Sequence, residues 1–72
     1  MRRFNAAELF AALDKQRMVR GLSWSDVARE TGVNAATIKR TELGGRMEVD
    51  GMLALVAWLG VPVETFVRES DR

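Results

Sequence analysis

The chain has 72 residues and a mass of 8.1 kDa, which fits one small domain spanning residues 1–72. Hydrophobic residues make up 47% and charged residues 29% of it, a composition typical of a folded globular protein. It contains no cysteine and no histidine, which excludes disulfides, thiolate nucleophiles, histidine bases and the usual zinc ligand sets. We therefore expect no metal, no cofactor and no enzymatic activity.

The sequence carries no signal for a membrane. No apolar run approaches the roughly 20 residues that a transmembrane helix needs. The first five residues, MRRFN, are not followed by an apolar stretch of the signal-peptide type. These features predict no membrane association and a cytoplasmic location.

Charge is unevenly distributed along the chain. Residues 1–47 carry nine Lys/Arg against five Asp/Glu, whereas residues 48–72 carry two Arg against five Asp/Glu. The first segment is suited to an anionic partner and the second is not. The alternative is a chance asymmetry on a solvated surface.

Capping patterns mark the first three predicted helices. Asn5, with an acidic residue three positions later, is typical of a helix N-cap, and the helix is expected to end at Gly21. Ser23 repeats the capping pattern for a second helix of about two turns, which ends at Gly32. Asn34 caps a third helix that is expected to run to about residue 43.

Two more helices are predicted between residues 50 and 68. Asp50 is expected to cap the fourth helix, residues 51–59, and Pro62 to lie in the first turn of the fifth. The expected inward-facing residues are Met52, Leu53, Val56, Leu59, Val63, Phe66 and Val67. No segment has the alternation of a β-strand, so the prediction is a compact all-α fold of five helices.

The segment 23–43 has the spacing of a helix-turn-helix. A small residue at Ala28 allows the second helix to cross closely, and Gly32 is expected to take a positive φ where a Cβ would clash. Val33 and Ile38 would then fix the second helix against the first. An ordinary helical corner is the alternative interpretation of the same spacing.

Several short motifs match a known family in register. They are residues 21–23 (GLS), 27–28 (VA), 31–33 (TGV) and 37–42 (TIKRTE), followed by Gly44, Val49, Asp50, Leu53, residues 59–61 (LGV) and Glu64. On these residues, between about 8 and 67, the chain resembles the small XRE-type, Cro-like (lambda-repressor-like) helix-turn-helix regulators of bacteria and phages. The resemblance implies a five-helix domain that binds double-stranded DNA.

The resemblance also implies roles for individual residues. In such proteins the second motif helix enters the major groove by its N-terminal end. Residues expected to face base edges are Ala35, Ala36, Thr37 and Arg40, with Arg40 bidentate to guanine. Residues expected near phosphates are Ser23, Trp24, Asn34, Lys39, Gly45 and Arg46. Trp24 is alternatively a packing residue, and Arg2 and Arg3 are expected to form a short basic arm.

Two departures from the family pattern concern the second motif helix. Gln or Arg is common where Ala35 and Ala36 stand, so we expect specificity to depend on Arg40, Arg46 and DNA shape. Thr41 stands where an aliphatic residue is usual and Leu43 where a polar one is usual, which leaves the end of this helix open.

The last two helices commonly form the dimer contact in such proteins. We expect Ala54, Trp58 and Phe66 to lie in a homodimer interface. The alternative for Trp58 is that it covers the core against Phe66.

Two functions follow as hypotheses. The first is a sequence-specific DNA-binding transcriptional regulator, a repressor, that acts as a homodimer on an inverted repeat. The second is a protein-binding helix-turn-helix module, such as an antitoxin or antiactivator, which the small net charge and the acidic C-terminal third favour.

Overall fold

The computed structural model describes residues 2–44 and 46–69, most of which are helical. The helices are α1 (Ala6–Arg20), α2 (Trp24–Thr31), α3 (Ala35–Arg40) and α4 (Val49–Leu59), and the strands are β1 (Arg2–Phe4) and β2 (Val67–Glu69). Two 3₁₀ turns cover Thr41–Leu43 and Val63–Phe66. None of the helices in the described ranges combines the length and the apolar character needed to cross a bilayer.

The predicted N-caps of the first three helices are confirmed. The Asn5 side chain accepts a hydrogen bond from the Glu8 backbone N–H at 3.0 Å and donates to the Glu8 carboxylate at 2.8 Å. Ser23 forms a reciprocal capping box with Asp26, and the Asn34 side chain accepts from the Ala36 N–H at 2.7 Å. Each cap pairs a donor that the start of a helix leaves free.

Helix α4 departs from its predicted start and orientation. It begins at Val49, with Glu48 at the cap position, and Asp50 lies within the first turn. Leu55 is fully buried, whereas Leu53, which we expected to face inward, is 47% exposed. The prediction was wrong because this helix is apolar on most sides, so periodicity alone does not identify the buried face.

The predicted fifth helix is a 3₁₀ turn that leads into a strand. Pro62 precedes this turn instead of lying inside it. Strand β2 then pairs antiparallel with β1, in the register Arg2↔Glu69, Arg3↔Arg68 and Phe4↔Val67. The prediction of no strands was therefore wrong, and the predicted basic arm at Arg2 and Arg3 is held in a strand pair.

Phe66 ties this strand pair to the core. Its backbone carbonyl accepts a hydrogen bond from the Asn5 N–H at 2.7 Å, and its ring meets the Phe4 ring edge-on with centroids 6.0 Å apart. The two ends of the described chain are thereby fixed next to the start of α1.

One hydrophobic cluster joins all four helices. Its fully buried members are Leu9 and Leu13 of α1, Val27 of α2, Ile38 of α3 and Leu55 of α4. Burial of side chains of this size stabilises the fold by about 1.5–3 kcal/mol each before the opposing loss of chain entropy.

Gly32 separates α2 from α3 with a φ of 77°. The expected positive φ is confirmed, and beyond the residues next to it in the chain no heavy atom lies within 4 Å of a Cβ built there. Glycine is favoured at this turn by backbone conformation alone.

Candidate nucleic-acid interface

Helix α3 is anchored on one side and open to solvent on the other. Ile38 is fully buried and Val33, just before the helix, is also buried. Ala36, Lys39 and Arg40 are exposed. The predicted base-facing residues Ala35 and Thr37 are half-buried at the edges of the same face.

The chain continues past α3 in a tighter coil. Helix α3 ends at Arg40, and the residues up to Leu43, expected to be helical, form the first 3₁₀ turn. Thr41 is fully buried there, and its hydroxyl donates to the Ile38 carbonyl at 2.6 Å. That hydrogen bond satisfies the buried hydroxyl, so a polar residue at this position is compatible with burial. Leu43 is 89% exposed beyond it.

The cations predicted to contact DNA differ in their ion pairs and ring contacts within the protein. Lys39 Nζ lies 3.5 Å from Glu42 Oε1 and 5.5 Å from the centroid of the Phe10 ring. Arg40 and Arg46 are exposed and form no ion pair within residues 2–44 and 46–69. Arg40 and Arg46 are therefore the cations of the predicted contact set that are free to meet an anionic partner.

Trp24 takes part in a series of ring contacts at the start of α2. Its ring stacks on Phe10 with centroids 5.0 Å apart and planes 21° apart. The Arg17 guanidinium carbon lies 4.9 Å from the Trp24 ring centroid. Together with Lys39 over Phe10, these contacts form what we call the aromatic column, defined as Arg17, Trp24, Phe10 and Lys39.

The aromatic column connects α1, α2 and α3. Its geometry supports the packing interpretation of Trp24. Phe10 and Arg17 were not among the predicted site residues, because their ring contacts reach from α1 to α2 and α3 and no local pattern signals such contacts.

Ser23 and Asp26 form the N-terminal end of α2. The Ser23 hydroxyl oxygen accepts from the Asp26 N–H at 3.1 Å, and the Ser23 N–H donates to the Asp26 carboxylate at 2.9 Å. The Ser23 backbone N–H, the Ser23 side chain and the nearby Arg29 guanidinium together lower the pKa of Asp26 below its ordinary value of 3.8. Ser23 is exposed at this position.

The residues predicted for the dimer interface do not lie on one free face. Phe66 is only 4% exposed and belongs to the core of its own chain, which leaves little of it for a subunit contact. Ala54 is half-buried, as is Trp58, whose indole N–H donates to Glu30 Oε1 at 2.8 Å. The Arg20 guanidinium carbon lies 4.7 Å from the Trp58 ring centroid.

Helix α4 instead exposes an apolar stripe that the sequence analysis missed. Val49 is 62% exposed, and Leu53, one turn later, lies on the same side of the helix. Ala57 follows at the same spacing and is also exposed. We call Val49, Leu53 and Ala57 the α4 stripe.

Gly45, a predicted phosphate contact, lies outside the described residues.

Comparisons with family models, with curated proteins and with solved structures return no match to this chain. The resemblance to XRE-type regulators stays a prediction from the motifs quoted above, and any function assigned to the chain must be argued from its own residues.

Proposed function

We propose that this protein is a sequence-specific double-stranded DNA-binding regulator, acting as a homodimeric repressor on an inverted-repeat operator. The observation that carries the proposal is the arrangement of α3, with Ile38 buried behind it and Arg40, which has no ion pair in the described part of the chain, on its exposed side. Such a helix can present side chains to a partner without disturbing the core.

The dimensions of α3 agree with this use. An α-helix with its side chains is about 10–12 Å across, and the major groove of B-DNA is about 12 Å wide and admits it. The six residues of α3 span about 9 Å along the helix axis. In the proposed complex Arg40 donates two hydrogen bonds to O6 and N7 of a guanine, and the Ala36 methyl group contacts a thymine methyl. Asn34, Ser23 and Arg46 lie towards phosphates and set the register.

Dimerisation through the α4 stripe would complete the proposed repressor. Antiparallel packing of two copies about Leu53 would set Val49 of each copy against Ala57 of the other, pairing a larger side chain with a smaller one. The stripe replaces the predicted set of Ala54, Trp58 and Phe66, of which Ala54 remains at its edge. A dimer bound across the promoter would exclude polymerase sterically.

The test begins with selection of bound duplexes from a random DNA library. The selected operator is then compared in mobility-shift titrations with the wild-type protein and two variants. Arg40→Ala should lower affinity by about 1–3 kcal/mol and relax base preference at one position. Arg46→Ala should weaken binding evenly across sequences.

Lys15→Ala supplies the matched control for these variants. Lys15 is also an exposed cation without an ion pair in the described part of the chain, and it lies on α1. We expect it to leave both affinity and base preference unchanged. Failure to enrich any sequence, or binding by both arginine variants equal to wild type, would contradict the proposed contact set.

A protein-binding module remains the second candidate function. It is favoured by the apolar α4 stripe and by Glu48 and Asp50 beside it, neither of which forms an ion pair within residues 2–44 and 46–69. Salt dependence separates the two functions, since log affinity for duplex DNA should fall against log salt with a slope of about −0.9 per phosphate contacted. A weak and flat response would favour the protein-binding module.

A further inference from the structure

A second basic surface lies where the strand pair meets the end of the first 3₁₀ turn. Two adjoining hollows there share Phe4, Ala6 and Gly44, and we call them together the terminal groove. Arg3, Arg68 and Glu69 line one half, and Arg46 lines the other. Because the 3₁₀ turn ending at Gly44 directly continues α3, the groove begins where the proposed DNA-reading segment ends.

The strand register places two like charges against each other in this groove. Arg3 and Arg68 are directly opposite across the β1–β2 pair, so their side chains lie on the same face. Like charges in that position repel each other. Arg68 is engaged, since its guanidinium pairs with Glu8 and donates to the Thr65 and Val67 carbonyls at 2.8 and 3.0 Å.

Arg3 differs from Arg68 in its ion pairing. It forms no ion pair with any residue in the ranges 2–44 and 46–69, and it is exposed. The carboxylates nearby are Glu8, which pairs with Arg68, and Glu69, which pairs with Arg2 at 3.6 Å. The groove therefore keeps an excess of positive charge at Arg3 and Arg46, and an anion bound beside Arg3 would also offset the repulsion between Arg3 and Arg68.

We propose that Arg3 and Arg46 together bind the phosphodiester backbone of duplex DNA beyond the end of α3. This proposal rests on the proposed DNA-binding function and adds a residue to it. In this proposal the expected basic arm makes a fixed contact, because pairing of β1 with β2 holds the Arg3 backbone before DNA arrives. A pre-ordered backbone loses less conformational entropy on binding than a free terminus does.

The experiment measures how the affinity for duplex DNA depends on salt. Fluorescence anisotropy is recorded between 50 and 200 mM NaCl for the wild type, Arg3→Gln, Arg46→Gln and the double variant. Each phosphate contact contributes a loss of about 3.5-fold in affinity over this range, so each single variant should show a correspondingly smaller loss. Over the same range of salt, the loss of affinity should be about 12-fold smaller for the double variant than for the wild type.

Two controls separate this effect from general loss of charge or fold. Arg3→Lys keeps the charge and should keep the wild-type salt slope. Lys15→Gln removes an exposed cation that lines a different hollow, with Gln16 and Leu59, and it should also keep that slope. Arg3 is exposed, so Arg3→Gln should melt at or slightly above the wild-type temperature. A matched melt in sodium phosphate tests whether the groove takes a free anion instead of DNA.

The outcomes are distinct. If Arg3→Gln keeps the wild-type salt slope while Arg40→Ala still changes base preference, the role of Arg3 is refuted and DNA binding stands. If the wild type binds no duplex, the proposed function itself fails. Stabilisation by inorganic phosphate that depends on Arg3, with no change in the DNA salt slope, would assign the groove to free anions and overturn the proposal.

Discussion

Replacing Trp24 with alanine should destabilise the fold, because the Trp24 ring joins α2 to α1. The stack on Phe10 at 5.0 Å contributes about 0.5–1.5 kcal/mol. The Arg17 guanidinium, 4.9 Å from the ring centroid, contributes about 0.5–1 kcal/mol. The Trp24 ring is half-buried against the core, and loss of its apolar contacts adds to these two contributions. Truncation of a fully buried tryptophan costs about 3–5 kcal/mol, which is the upper limit for this substitution.

We therefore expect Trp24→Ala to lower the free energy of unfolding by about 2–3 kcal/mol. In a domain of this size that loss corresponds to a fall in Tm of roughly 10–20 °C. Urea denaturation followed by circular dichroism measures the free energy directly, and it avoids the tryptophan signal that the substitution removes.

Trp24→Phe separates packing from a phosphate contact. Phenylalanine keeps a ring against Phe10 but lacks the indole N–H that would donate to a phosphate. We expect this variant to keep most of the stability and the wild-type operator affinity. Loss of less than about 1 kcal/mol in Trp24→Ala would refute the packing argument. Weaker operator binding by a stable Trp24→Phe would instead assign the indole to DNA.

Three further substitutions test separate features. Because the pKa of Asp26 is lowered in the fold, the Asp26 carboxylate contributes fully to stability above its ordinary pKa. This contribution is lost as the pH falls through the lowered pKa of the folded state. In acid titrations, Asp26→Asn should therefore lose less stability than the wild type below about pH 4. Gly32→Ala should cost about 1–2 kcal/mol and Gly32→Asn less, and equal urea midpoints for both would contradict the backbone argument. Leu53→Glu should convert dimer to monomer in sedimentation experiments with little change in monomer stability, since Leu53 is 47% exposed; a wild type that is monomeric at every concentration would contradict the α4 stripe as an interface.

The helix starts were predictable because caps act over short distances. Asn5, Ser23 and Asn34 each hydrogen-bond within three residues, so a short window of sequence contains both partners. The exposed side of α3 was also predictable from a short stretch of sequence, since burial of a single residue, Ile38, fixes which side of the helix faces solvent.

The strands and the orientation of α4 were not predictable by the same reasoning. β1 and β2 have three residues each and lie at opposite ends of the described chain, so neither shows alternation within itself. Helix α4 carries apolar residues on most sides, and only contact with the other helices selects Leu55 over Leu53 for burial. The aromatic column was missed for the same reason, since its contacts cross between helices.

Helix α3 depends on these contacts because it is too short to persist alone. Isolated helices of fewer than about 12–15 residues are marginal in water, and α3 has six. Its position is set by the buried Ile38 and by the Thr41 hydrogen bond that continues it into the first 3₁₀ turn, which packs against α1. Substitutions at these two positions would therefore remove the proposed DNA binding by displacing the helix. Arg40 takes no part in that anchoring, so a change there alters what the helix contacts while the helix itself stays in place.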